Sequence, residues 1–446
     1  MEFVADLHLH SKYSRAVSQS MVLPFMAEWA RKKGLAILAA PDWTHSLWFK
    51  EMKAQLVEAH EGLYKLKDDR DNREVLFLFS TEIASIYSQD GKLRRIHNVI
   101  FSPSIETAEK VSAELRKRGC NLSSDGRPII GISSRDLLQL LLEIDRRIIL
   151  IPAHIWTPHF GVYGSKSGFD SLAECYGELS KFVYGIETGI SSDPLMNWQV
   201  EELKDRTILS FSDAHSAPKM GREATVLKLE SPSYTNLGKA ISAPMRRDLS
   251  GKNEVAYTIE FYPEEGKYHY AGHRNCKVVR SPSEIKKDGN TCPVCSRILT
   301  EGVMYRVEEL AGKDANFDIE VSAKDESGTL WLKDKGKRPP FVKLVPLVEI
   351  IAESLSSTVA SDKVREAYEK LCYDLESELK VLLKAPIDDV VKSGGPKIAE
   401  GVSKVRSGAI TIEPGFDGEY GKVKIWNEEL SENGKIEEQR EQMGLF

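Results

Sequence analysis

Short apolar runs alternate with amphipathic stretches over residues 1 to about 245. The apolar runs are bounded by turn residues and predict strands, while apolar positions at helical spacing between them predict helices. This alternation predicts a parallel sheet with helices packed outside it, either open or closed. The predicted strands are Glu2–Leu7, Leu35–Ala40, Val75–Ser80, His97–Phe101, Ile148–Pro152, Gly185–Thr188 and Thr207–Ser212, and the predicted helices are Pro24–Lys33, Ser46–Tyr64, Glu106–Arg118 and Ser134–Arg146.

The pattern changes after residue 245. A Pro/Ser-rich stretch leads into a region that contains Cys and His, followed by a polar stretch rich in Gly and Lys. A helical pattern then runs from residue 341 to about 408 and is interrupted between Ser393 and Pro396. We therefore predict an α/β domain at 1–245, a small zinc-binding domain at 246–320, a helical region at 321–426 and a disordered tail at 427–446.

Composition narrows the class of protein only slightly. The chain has 446 residues and a formal net charge of -6, which does not exclude a nucleic-acid partner, because a basic stripe can lie on an acidic protein. We see no signal peptide and no apolar run of the roughly 20 residues that a membrane helix needs, so we expect a cytoplasmic protein without a membrane partner. The absence of a Gly-x4-Gly-Lys-Ser/Thr loop disfavours a nucleotide-driven helicase.

Side chains that bind metals fall at the ends of nearly all the predicted strands. In an α/β barrel these ends meet at one mouth, where active sites are built. Mixed imidazole and carboxylate ligands suit Zn, Mn or Fe, and nine candidates are too many for one ion, so we expect two or three divalent ions, with Zn, Mn or Mg as candidates. The candidates are His8, His10, Asp42, His45, Glu82, His97, His154, Asp213 and His215.

These positions resemble the motifs of the PHP (polymerase-and-histidinol-phosphatase) superfamily, notably Asp6-Leu-His-Leu-His10 and Ser212-Asp-Ala-His215. The resemblance implies a distorted (β/α)7 barrel holding up to three metals. It also implies that seven of the candidates bind metal, the exceptions being Asp42 and His45. Most members have Asp directly followed by His, whereas Trp43 follows Asp42 here. Either His45 reaches the third metal position or that position is altered.

A more specific resemblance extends over nearly the whole chain, to about residue 425. Segments such as Pro152-Ala-His-Ile-Trp-Thr-Pro158, Gly221-Arg-Glu-Ala224 and Gly415-Phe-Asp-Gly-Glu-Tyr-Gly421 resemble the endonuclease Q family of DNA repair nucleases. The resemblance implies a metal-dependent endodeoxyribonuclease that acts on DNA. It would cut on the 5′ side of deaminated bases (uracil, hypoxanthine, xanthine) and of abasic sites. We assign catalysis by metal-activated water to Asp213, His8 and His10, with 3′-hydroxyl and 5′-phosphate ends as products.

Two ligand pairs predict a separate structural zinc site. His273 and Cys276 form one pair, and Cys292 and Cys295 form the other, each with two residues between its members. A Cys3His set closes a tetrahedral site and leaves no open catalytic position. By register, His269 could replace His273. The ion would stabilise a segment that is too short to bury much apolar surface.

The segment after His154 is a candidate pocket for a flipped base, because aromatic rings can stack on it and glycines permit close approach. The alternative is that these aromatic side chains only pack over the barrel mouth. Arg15 and Arg222 are candidate phosphate contacts by position. The full set of substrate-binding candidates is Arg15, Trp156, Phe160, Tyr163, Ser165, Lys166 and Arg222.

The last five residues resemble the peptide with which bacterial proteins bind the sliding clamp. In such an extended peptide, the apolar ends fill a groove and the Gln forms hydrogen bonds. The residues that would contact the clamp are Gln442, Met443, Leu445 and Phe446.

The sequence is compatible with three functions. A DNA repair endonuclease accounts for the barrel, the zinc site and the clamp-like tail. A PHP phosphatase of small phosphomonoesters would need the barrel alone. A non-catalytic module of a DNA-processing complex would be expected to have lost metal ligands, and this chain keeps a full set.

Overall fold

The computed structural model describes residues 1–69, 71–246, 250–311, 324–334 and 338–426, and the backbone of 319–321. The protein is mixed α/β, with many helices around a large central sheet. The strands are β1 (Glu2–Asp6), β2 (Ile37–Ala40), β3 (Leu56–His60), β4 (Leu63–Leu66), β5 (Leu76–Gln89), β6 (Lys92–Phe101), β7 (Ile129–Ile130), β8 (Ile149–Pro152), β9 (Gly185–Glu187), β10 (Thr207–Leu209), β11 (Ala224–Lys228), β12 (Glu254–Glu260), β13 (Ala271–His273), β14 (Val278–Arg280), β15 (Ile319–Val321), β16 (Leu332–Asp334), β17 (Phe341–Lys343), β18 (Thr411–Glu413) and β19 (Lys422–Lys424).

The helices confirm most of the predicted periodicity. Helix α4 carries Leu137, Leu138, Leu140 and Leu141 on its buried face, and Ser133 caps its start. The helices are α1 (Leu23–Lys33), α2 (Ser46–Gln55), α3 (Ile105–Lys117), α4 (Ser134–Ile144), α5 (Leu172–Tyr176), α6 (Pro194–Asn197), α7 (Tyr234–Arg246), α8 (Pro282–Asp288), α9 (Val303–Leu310), α10 (Leu347–Ser354), α11 (Asp362–Asp374), α12 (Glu378–Leu383), α13 (Ile387–Gly394) and α14 (Pro396–Arg406).

The sheet is mixed, and the prediction of a purely parallel sheet was wrong. Strands β1, β2 and β5 are parallel neighbours, but β6 runs antiparallel to β5, and β11 runs antiparallel to β1. The β5–β6 connection is the two-residue turn Asp90-Gly91, and both residues have positive φ, as this type of hairpin turn requires. Strand β8 pairs antiparallel with β6 and so returns to the direction of β5.

One predicted helix was also wrong in part. The helix expected over Ser46–Tyr64 ends at Gln55, and the chain continues as the hairpin of β3 and β4. Gly62 lies at the turn with φ +68°, and a Cβ there would come 2.5 Å from the Tyr234 Cβ. The hairpin therefore depends on a residue without a side chain at this close approach.

An apolar cluster lies between the strands and fixes which side chains point inward. Its members include Ala5 of β1, Ile37 of β2, Val99 of β6, Ile151 of β8 and Leu209 of β10. These strands therefore surround a common core. The segments after β1, β8 and β10 lead directly to residues of the candidate site, whereas β5 and β6 carry Glu82 and His97 within the strands.

The central sheet continues past residue 245. Strand β12 pairs with β11, and β17 pairs in parallel with β12 through Ile259 and Val342. The segment 261–340, which contains the Cys and His pairs, is therefore inserted between two neighbouring strands of this sheet. Helices α10 to α14 follow, and the helical stretch is interrupted between α13 and α14 at the predicted Gly-Gly-Pro. Across the described residues, no helix has the length and apolar character to cross a membrane.

Candidate metal centre

Three overlapping groups of metal-binding side chains come from the segments after β1, β8 and β10 and from within β5 and β6. Within each group, one ligand atom per residue lies within 4.8 Å of the others. Two groups share His10 and two share Glu82, so the groups form one continuous centre. The groups are His8, His10 and Glu82; His10, Asp213 and His215; and Glu82, His97 and His154.

Hydrogen bonds to the outer nitrogens orient two of the imidazoles. His8 donates from Nδ1 to Glu187 Oε1 at 2.9 Å, and His215 Nδ1 lies 2.9 Å from the Asp213 carbonyl oxygen. The Nε2 atoms of His8 and His215 are buried and form no hydrogen bond with the described residues. Histidines that bind metals are normally held in this way, with one nitrogen anchored and the other left for the ion. The residues present therefore fit a bound divalent metal.

Glu82 lies at the middle of the centre and is fully buried. Its Oε1 lies 2.5 Å from His97 Nδ1 and 3.1 Å from His154 Nε2. Burial alone would raise the pKa of Glu82, but its interactions with His97, with the positive charge of Arg127 and with the hydrogen-bonded His154 hold this pKa well below its usual range. Glu82 is therefore ionised at neutral pH, as a metal ligand has to be.

Asp213 connects two of the groups. Its Oδ1 lies 3.0 Å from His10 Nε2 and 3.6 Å from His8 Nε2. Burial acts to raise the pKa of Asp213, but the neighbouring His8 and the hydrogen bond from His10 hold it well below its usual range. As an ionised carboxylate, Asp213 would be able to serve as a metal ligand.

Asp42 and His45 lie outside these groups. Asp42 Oδ2 accepts hydrogen bonds from the Ser11 backbone nitrogen at 2.6 Å and from the Ser14 hydroxyl at 2.8 Å. Its Oδ1 lies 3.3 Å from His10 Nδ1, so Asp42 orients His10. His45 is the N-cap of α2, and its ring stacks on Tyr13 with centroids 4.4 Å apart. In the structure, both residues therefore bond to protein groups and belong to none of the three metal-binding groups.

The backbone is strained at three of the predicted ligands. Asp42, His154 and Asp213 have φ values of 55°, 29° and 47°. Non-glycine residues in this region are uncommon and concentrate at functional sites. Gly189 packs against His154, and a Cβ on Gly189 would lie only 2.3 Å from the His154 Cβ.

The predicted base pocket is only partly in place. Trp156 and Tyr163 belong to the core, with exposures of 2% and 0%. The Trp156 indole donates to Asn197 Oδ1 at 2.8 Å, and the Tyr163 hydroxyl bonds to Glu202. The prediction that these two rings stack on a base was wrong, because buried rings with satisfied polar atoms present no free face. The rings pack in the core instead, in line with the alternative that these aromatic side chains serve only for packing.

The other predicted substrate contacts are at least partly exposed. The Phe160 ring is half-buried, with its centroid 4.3 Å from that of His97. Ser165 is half-buried and Lys166 is exposed. The Arg15 side chain is 77% exposed, and its Nε lies 3.4 Å from Asp125 Oδ2. Arg222 donates to the Ser212 carbonyl from Nε at 3.3 Å and from Nη2 at 3.2 Å.

The second metal site brings together the four residues predicted from their spacing. The ligand atoms of His273, Cys276, Cys292 and Cys295 all lie within 4.8 Å of one another. His273 Nδ1 lies 3.3 Å from Cys295 Sγ. His269 is buried and does not belong to this group, so the structure favours His273 as the histidine of the set.

Sequence reasoning missed two residues of the main centre. Glu187 is the last residue of β9 and the second-last residue of the predicted strand Gly185–Thr188, so a search for ligand side chains near strand ends would have found it. Arg127 precedes the two-residue strand β7 in a loop that carries no periodic signal. The clamp-like residues Gln442, Met443, Leu445 and Phe446 lie outside the described residues.

Comparisons with known proteins agree with this fold. Residues 346–409 match the family described as the MJ0043 C-terminal domain. Protein MJ0043 of Methanocaldococcus jannaschii is 31% identical over 278 residues, which cover 60% of this chain but only 31% of that protein, so the chain spans about a third of this relative. Protein YqxK of Bacillus subtilis is 27% identical over 94% of this chain and 98% of its own length.

Two solved structures cover nearly the whole chain, each with a TM-score of 0.78. The lesion-specific endonuclease PfuEndoQ of Pyrococcus furiosus is 26% identical, with 95% of each chain covered. An endonuclease Q in complex with a 27-mer duplex that has an abasic lesion at the active site is 27% identical, with 96% of this chain and 98% of that chain covered. Over nearly the whole chain the structure is similar to that of endonuclease Q, and this similarity supports an assignment to that family.

Proposed function

We propose that this protein is a DNA repair endonuclease that hydrolyses the phosphodiester bond on the 5′ side of deaminated bases and abasic sites. The observation that carries the proposal is the continuous centre in which His10 and Glu82 are each shared between two metal-binding groups. It lies in a fold that matches solved endonuclease Q structures over nearly the whole chain. We further propose that the strands around the common core form the distorted (β/α)7 PHP barrel.

The chain itself supplies orientation and charge. Divalent ions bound at such a centre would lower the pKa of water and neutralise phosphoryl oxygens. Glu187 and Asp42 hold His8 and His10 in one ring orientation. Ionised Glu82 and Asp213 supply negative charge for more than one cation. These residues favour two or three divalent ions, of which Zn, Mn and Mg are candidates.

The Cys3His group supports a structural role. Four ligands leave no open position on a tetrahedral ion, so we propose one structural zinc there. The sliding clamp remains a predicted partner of this protein. The C-terminal peptide that would bind the clamp lies outside the described residues. Phe160, Ser165 and Lys166 remain candidates for contacts with damaged DNA.

Cleavage of single-lesion duplexes tests the function. Purified protein with Mn or Mg would be incubated with labelled duplexes carrying uracil, hypoxanthine, an abasic site or no lesion. We expect incision immediately 5′ of each lesion and none in the plain duplex. Asp213→Asn, which has nearly the same shape as the wild type, should abolish incision.

The phosphatase alternative gives the opposite pattern. If all duplexes stay intact while the wild type hydrolyses a generic phosphomonoester, the proposed repair function is wrong. If the plain duplex is cut as fast as the lesioned ones, the protein is a nuclease without the proposed specificity.

A further inference from the structure

Arg127 is fixed by the backbone beside the metal centre. Strand β7, which follows it, pairs with β5 through Ile129 and Ala84, two residues beyond Glu82. The Ala84 backbone nitrogen donates to the Pro128 carbonyl at 3.0 Å, and the Arg127 backbone nitrogen donates to Asp125 Oδ1 at 3.1 Å. The loop therefore delivers the Arg127 side chain to the same end of the strands as the ligands.

The guanidinium of Arg127 faces more than one of the metal-binding groups. Nη1 donates to Glu82 Oε2 at 3.3 Å. Its charge also acts on Asp213, His97 and His215, which belong to different groups. Among the described residues, no other arginine or lysine forms an ion pair with the nine predicted ligands.

Part of the Arg127 guanidinium remains available to bind a ligand. The Arg127 side chain is 21% exposed, and Nη1 alone of its three nitrogens is hydrogen-bonded to a described residue. The other arginines near the centre are differently placed, because Arg222 is bonded to the Ser212 carbonyl and lies 5.8 Å from the Phe261 ring centroid. Arg15 points largely into solvent.

We propose that Arg127 is a catalytic residue that binds a non-bridging oxygen of the scissile phosphate. This inference rests on the proposed phosphodiester hydrolysis. The planar guanidinium matches phosphate oxygens with two parallel donors, which the ammonium of lysine cannot do. Charge that grows on these oxygens in the transition state is stabilised by a donor already held in place. Arg127 thus takes the role that sequence position suggested for Arg15 and Arg222.

The test compares Arg127→Ala and Arg127→Lys with Arg118→Ala, an arginine paired with Glu114 on the surface of α3. Cleavage of an abasic duplex and of bis(p-nitrophenyl) phosphate would be measured, together with metal content. We expect Arg127→Ala to lower kcat by about 100-fold or more on both substrates, in line with loss of one such donor. Metal content should be unchanged, Arg127→Lys should recover little activity, and free guanidinium should restore part of it to Arg127→Ala.

Three results would overturn the proposal. They are activity of Arg127→Ala within about twofold of wild type, loss of metal in parallel with activity, and no rescue by guanidinium. A wild type that hydrolyses only bis(p-nitrophenyl) phosphate would refute the repair function and leave Arg127 testable on that substrate. Calorimetric binding of inorganic phosphate needs no turnover: we expect at least tenfold weaker binding by Arg127→Ala, and equal affinity would refute the role.

Discussion

Glu187 and His8 form a buried pair in which the histidine Nδ1 lies 2.9 Å from one carboxylate oxygen of the glutamate. The other oxygen, Oε2, accepts the backbone N–H of His154 at 2.8 Å. One carboxylate therefore positions parts of two metal-binding groups. It also fixes the tautomer of His8 that leaves Nε2 free for a metal.

We predict that Glu187→Gln weakens metal binding by about 10-fold to 100-fold, as loss of such a supporting group typically does. An amide has an NH2 group in place of one carboxylate oxygen, so one of the two N–H donors would face another donor. Competition with a metal-binding dye would measure the affinity. Glu178→Gln is the matched control, since Glu178 is an exposed partner of Arg135. Equal affinity in both variants would contradict the role given to Glu187.

Replacement of His45 distinguishes a ligand from a helix cap. His45→Ala should leave the number of bound metals unchanged and should lower the free energy of unfolding by about 1 kcal/mol, because α2 loses its N-cap. Mass spectrometry under native conditions gives the stoichiometry, and urea denaturation gives the stability. His60→Ala, at a partly exposed histidine on β3, serves as control. Loss of one metal from His45→Ala alone would make His45 a ligand.

Loss of one thiol should empty the second metal site. Cys295→Ser should bind one zinc fewer than wild type and should unfold at a lower temperature, because metal binding contributes to the folding of such segments. Calorimetry and elemental analysis test both effects. Cys120→Ser should change neither quantity, since Cys120 lies apart from the cluster. A zinc content that is the same in both variants would refute the site.

Glu260 should make stability depend on pH. Burial raises the pKa of Glu260 from 4.5 to about 8, and Glu260 lies near the equally buried Glu223. Between about pH 4.5 and 8 the folded protein holds a proton that the unfolded chain has released, so this group's contribution to stability is lost as the pH rises. The folding equilibrium changes roughly tenfold for each pKa unit.

Glu260→Gln should remove this part of the pH dependence. Urea denaturation of wild type and variant at pH 5, 7 and 8.5 would reveal it, because the variant should gain relative stability at each step. Glu230→Gln, at an exposed glutamate, should follow the wild type. Parallel stability curves for Glu260→Gln and wild type would show that Glu260 titrates normally.

Sequence patterns predicted the positions of the strands better than their ends and directions, since β5 continues to Gln89 and β6 begins at Lys92. His8, Glu82 and Asp213 were found because apolar runs end where ligand side chains begin. The direction of β6 depends on the tight turn Asp90-Gly91, a hairpin signal that the pattern of apolar runs does not contain. The role of Asp42 could not be predicted, because it depends on contacts with Ser11 and Ser14 that only the folded loop creates.

The aromatic segment illustrates a second limit. Trp156 and Tyr163 stand beside a predicted ligand in the sequence, and that proximity favoured a role in base recognition. Their rings instead turn into the core, where Asn197 and Glu202 satisfy their polar atoms. Burial of this kind depends on residues about 40 positions away, which no local pattern reveals.

The insertion of residues 261–340 between β12 and β17 limits how this protein can be divided. A chain cut after residue 245 would lose β12 and leave β11 as an open sheet edge, ready to pair with another molecule. Because β12 and β17 are parallel, the end of β12 and the start of β17 lie at opposite ends of the strands, so a chain without the inserted segment would still need a crossover connection. The inserted segment with its Cys3His group is therefore joined to the central sheet at both ends and is not a separable module, because it starts after β12 and ends before β17.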